Sequence, residues 1–88
     1  MYKAIRNLAA FKEGQLLVKT KESFPEHMIP AVAAEQNEFF IVKGVEQDKI
    51  VFQRAKVQGK GKSIIYSSEE IPLKEIFTNC CWYVRNLK

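Results

Sequence analysis

The chain predicts a mainly β fold, a small antiparallel barrel of five to six strands with one short helix before the last strand. Short apolar runs are separated by polar, turn-rich tetrapeptides at intervals of about eleven residues, the spacing of an antiparallel meander. A different period appears only near the end, where Leu73, Ile76, Phe77 and Cys80 fall at i, i+3, i+4 and i+7, a helical stripe. The chain's 88 residues make a single domain, 1–88, with room for one core. Closure into a barrel removes the unpaired edges that a flat sheet of this size exposes.

Each element has its own local reason. The opening Tyr2–Asn7 reads as a short strand, although Tyr2, Ile5, Leu8 and Ala9 also fit one face of a helix. Gln15–Thr20 is a strand that follows the turn residue Gly14. Met28–Glu35 contains Pro30, which lacks the donor a central ladder needs, and so reads as an edge or bulged strand. Phe39–Val45 and Lys49–Val57 answer one another across the turn Glu46–Asp48, and Lys62–Ser67 returns after the glycine-rich tip Gln58–Gly61. Pro72 suits a first helical turn, with Ser67, Ser68, Glu69 and Glu70 supplying capping groups and negative charge ahead of it. Cys81–Arg85, aromatic and β-branched, closes the sheet.

Apolar residues are 47% and charged residues 27% of the chain, a balance that excludes disorder, collagen and coiled coil. Apolar runs stop at four or five residues where a membrane span needs about 20. The start MYKAIRNLAAFKEG has none of the ordered parts of a secretory signal, so a cytoplasmic location and no membrane partner are expected. Cys80 and Cys81 are adjacent, a spacing unsuited to a zinc knuckle, and at least one of the pair reads as a small buried hydrophobe. With one histidine, His27, in a polar loop, no nucleophile–base set forms, and neither an enzyme nor a cofactor or metal is expected. QGKGKS lacks phosphate-loop spacing and sits between strands, so it reads as a basic hairpin tip.

Charge is grouped along the chain. Residues 1–21 hold five bases against Glu13, residues 22–48 six acids against Lys43, and residues 49–66 five bases with no acid, in a chain of net charge +4. A polyanion is steered to such a surface. Period-two alternation puts Ile50, Phe52, Arg54 and Lys56 on one face of their strand. With that face exposed, Phe52 offers a ring for base stacking beside Lys49, Arg54, Lys56, Lys60 and Lys62, and Tyr66 on the next strand joins it, the device of small barrels that bind single strands. With it buried, Ile50 and Phe52 belong to the core and only the cations remain. Trp82 reads as the main core residue, or else, with Tyr83 and Phe77, as an exposed interaction patch.

The opening YKAIRNLAAFKEGQLL and the ending IIYSSEEIPLKEIFTNCCWYV together resemble the SH3-like barrels, including small translation- and transcription-associated domains and short proteins encoded by phages of Gram-positive bacteria. No acidic-aromatic run of the ALYDY type is present, so the resemblance implies the barrel and not proline-peptide binding. The expected function is non-catalytic binding of RNA or single-stranded nucleic acid through residues 49–66. The alternative that the resemblance implies is a small phage-type effector that binds a host protein.

Overall fold

The computed structural model describes residues 1–59 and 63–85. Six strands form one antiparallel sheet: β1 (Tyr2–Ile5), β2 (Leu16–Thr20), β3 (Glu38–Val45), β4 (Lys49–Gln58), β5 (Ser63–Pro72) and β6 (Cys81–Arg85). Their spatial order is β1-β6-β2-β3-β4-β5. The mainly β expectation holds, and N-terminal β1 is the strand the opening residues predict. The sheet curls but does not close, because among the described residues β1 pairs only with β6 and β5 only with β4.

The curl shows in the core. Strands β4 and β6 lie three spacings apart in the sheet, about 14 Å if it were flat. Yet Phe52 on β4 and Trp82 on β6 stack with centroids 4.8 Å apart and planes 9° from parallel. A bulge at Lys43, where Val42 pairs with Phe52 but Gly44 with Val51, adds bend to β3. Side chains alternate across the curled sheet. The inner face carries Ile5, Leu17, Phe40, Val42, Ile50, Phe52 and Trp82, plugged at one end by Phe11 and Ile76 from the connections. The outer face carries Tyr2, Val18 and Tyr83, covered by one helix, α1 (Ile29–Gln36), through Ile29 and Ala33.

That helix replaces the edge strand expected over Met28–Glu35. Ile29 and Ala33 are buried at i and i+4, three alanines favour helix, and Pro30 sits in the first turn, where its missing N–H costs nothing. Asn37 ends the helix in the left-handed region, φ 53°, and its N–H donates to the carbonyl of Ala33 at 2.9 Å.

The stripe near the C-terminus forms less helix than expected. Leu73–Glu75 is a single 3₁₀ turn, and the chain leaves it through Asn79 at φ 56°. Leu73, Ile76 and Cys80 still pack against the core, so the stripe reports burial correctly while the helix itself stays one turn long. The residues expected to cap it continue β5 instead, since Ser67 to Ile71 pair with Arg54 to Ile50. Glu70 spends its charge across the sheet on Lys49, at 2.7 Å.

Tyr83 ties the loop before α1 to the sheet: its hydroxyl donates to the carbonyl of Phe24 at 3.1 Å and accepts the Phe24 N–H at 2.8 Å. Tyr83→Phe keeps the buried ring and strands both loop groups, so it is expected to cost about 1–2 kcal/mol. In a domain of this size that lowers the melting temperature by roughly 5–10 °C, measurable by circular dichroism. An unchanged melting temperature would contradict the tie.

Candidate functional site

The inner face changes character along its strands. At one end it is the aromatic core. At the other the same alternation continues into charge, with Lys19 two residues beyond Leu17, Glu38 two before Phe40, and Arg54 and Lys56 following Ile50 and Phe52. Opposite Phe52 on β5 stands Glu69. These side chains, with Lys21, Gln36, Thr78 and Asn79, line an open depression of about 680 Å³.

Its electrostatics are uneven. Arg54 is spent, because its Nε and Nη2 both reach one carboxylate oxygen of half-buried Glu38, at 2.5 Å. Lys19, Lys21 and Lys56 make no ion pair among the described residues. Lys19 roofs the core, with its ammonium 5.6 Å from the Trp82 ring centroid and 5.7 Å from that of Phe40. Such a cation is held by two ring faces and keeps its remaining donors for a ligand. Strands β2 and β4 stand two spacings, about 10 Å, apart, so a chain of anionic groups crossing the strands meets Lys19 and then Lys56.

Of the residues expected to bind nucleic acid, Arg54 and Lys56 reach this depression. Phe52 does not: it is fully buried, stacked on Trp82 and edge-on to Phe11 and Phe40. The face of β4 that it shares with Ile50 is the core face, so a base has no access to the ring. Tyr66 is exposed but pairs with Ala55, which puts it on the outer face, away from Arg54 and Lys56. Lys49 also lies on the outer face, where its hydrogen bond and charge contact with Glu70 raise its ammonium pKa, with Glu46 3.9 Å away. Lys60 and Lys62 lie outside the described residues. Sequence reasoning missed Lys19 and Lys21, although the step from Leu17 to Lys19 repeats the step from Phe52 to Arg54 and signals the same face.

The neighbouring thiol is held in its neutral form. Cys80 Sγ donates to the carbonyl of Ile76 at 2.9 Å, and burial, the dominant cause, raises its pKa, which keeps it protonated. Among the described residues no group of three or more His, Cys, Asp or Glu is placed to hold a metal, and no helix is long and apolar enough to cross a membrane. Trp82 is fully buried, with its indole N–H on the Ile76 carbonyl at 2.8 Å, so it belongs to the core and not to an exposed patch. Comparison with protein-family models, curated proteins and solved structures gives no match. What the depression offers is three lysines and one carboxylate, Glu69, without ion-pair partners among the described residues, around an open floor.

Proposed function

We propose that the protein is a non-catalytic binding module whose inner face takes the phosphates of a single-stranded nucleic acid. The observation that carries this reading is the convergence of Lys19, Lys21 and Lys56, none ion-paired among the described residues, on one depression. Glu38 is neutralised by Arg54 and so opposes an incoming phosphate less than its charge suggests. With Phe52 in the core, its ring is closed to base stacking. Contacts to phosphate carry no sequence information, so binding is sequence-tolerant, weak at physiological salt and strongly salt-dependent.

Backbone amide chemical shifts during titration with a short oligouridylate at low salt test the reading. Shifts are expected at Lys19, Lys21, Lys56 and the Thr78–Asn79 rim, and should reverse when salt is added. Shifts confined to the outer face around Tyr66 and Gln53, or none at all, would contradict it.

A further inference from the structure

Strand β5 is an edge of the sheet, and its first half is apolar on both faces: Ile64, Ile65 and Tyr66 are 51%, 49% and 56% exposed. Natural edges are commonly blunted by charge, bulges or proline. Here Glu69, Glu70 and Pro72 blunt only the second half.

The direction of the edge's backbone groups follows from the ladder. The Val57 N–H donates to Asn37 and the Lys49 carbonyl accepts from Glu46, both on the β3 side, while the Asp48 carbonyl accepts from Leu73 on the β5 side. Odd residues of β4 therefore turn their backbone groups to β3 and even ones to β5. Lys56 and Ile65 are then a hydrogen-bonded pair, and Ile64 and Tyr66 turn their N–H and C=O groups outward.

We propose that a second copy of this chain pairs with the edge, β5 antiparallel to β5 about a two-fold axis at Ile65. The sequence Ser63-Ile64-Ile65-Tyr66-Ser67 is nearly symmetric about that point. Pairing there sets Ile65 against Ile65 on the inner face, Ile64 against Tyr66 of the second copy on the outer face, and serine against serine at both ends. The two Ile64–Tyr66 pairs supply four backbone hydrogen bonds from groups that already point outward. Register is thereby restricted. An axis at Ser67 sets Ile64 and Ile65 against Glu70 and Glu69, and an odd shift sets inner-face residues against outer-face ones.

Charge favours the same register. The two Glu69 side chains stay about 27 Å apart, so the acidic halves of the two strands point away from one another. The patch is small, below the roughly 1,200 Å² at which stable interfaces begin, which suits a weak, reversible association. The two-fold stands perpendicular to the sheet, so both inner faces look the same way. Lys56, Ile65, Ile65 and Lys56 fall in line across three strand spacings, with the two lysines about 14 Å apart. The joined basic surface rests on the nucleic-acid reading; the dimer does not.

Sedimentation velocity on the purified full chain from about 20 µM to about 1 mM tests the proposal. A reversible monomer–dimer equilibrium is expected, stronger at about 500 mM than at about 50 mM salt, because two copies of like net charge repel less when screened. Binding of the oligonucleotide moves with salt in the opposite direction, so the two readings fail separately. Ile65→Lys, which sets two lysines at the axis, is expected to leave only monomer, and Ile65→Thr, which keeps a β-branched residue, to weaken the dimer about tenfold. A monomer throughout the range, as expected if the edge receives another protein's strand instead, overturns the proposal. So does a dimer that survives Ile65→Lys with the fold intact.

Discussion

Replacing Trp82 by alanine is expected to cost about 3–5 kcal/mol, the range for truncating a buried large aromatic. A domain of this length has roughly 4–13 kcal/mol of stability in total, so a large part of the folded population is lost. Trp82 is the hub of the core. Its ring stacks on Phe52 at 4.8 Å, meets Phe40 and Phe11 edge-on at 5.4 and 5.7 Å, and lies under the Lys19 ammonium. Phe52→Ala is expected to destabilise comparably, and the double variant by less than the sum, the shortfall of about 0.5–1.5 kcal/mol being the stacking between the two rings. Urea denaturation followed by circular dichroism measures all three. A Phe52→Ala protein that melts normally but loses nucleic-acid binding would restore the stacking role that burial denies this ring.

Strands β2, β3, β4 and β6 were legible because their apolar runs are short and bounded by turn residues, and Gly14, at φ 91° before β2, is a residue that tolerates this backbone. The helix Ile29–Gln36 was hidden by Pro30, which is compatible with a strand edge and with a first helical turn alike; the buried spacing of Ile29 and Ala33 separates the two. The site was legible only in part. Alternation along β4 correctly grouped Phe52, Arg54 and Lys56, but a single strand does not say which face the core takes. That choice is made by partners far away in sequence, Trp82 and Phe11. Nor does one strand reveal that Glu38 consumes Arg54 or that Lys19 joins Lys56, since both depend on how β2, β3 and β4 align. The grouping of charges along the chain was a weaker guide: Glu38, from the acidic stretch 22–48, and Glu70, from beyond residue 66, return to neutralise two of the five bases in residues 49–66.

Exchanging Lys19, Lys21 and Lys56 together for glutamine is expected to remove most of the binding to a single-stranded oligonucleotide. Glutamine keeps much of each aliphatic stem and removes the charge. Three phosphate contacts to a single strand give a slope of log K against log salt of about −2, which amounts to a few hundredfold in affinity between about 50 mM and about 1 M salt. The triple variant forfeits the greater part of that at low salt. Loss of the Lys19 contact with the rings costs about 0.5–1 kcal/mol of stability, so the variant remains folded. The decisive measurement is fluorescence anisotropy of a labelled oligouridylate bound by the parent and triple-variant proteins across a salt series. A parent slope near −2 and a nearly flat, weak response from the folded variant are expected; equal affinity and equal slope for the two proteins would contradict binding at these lysines.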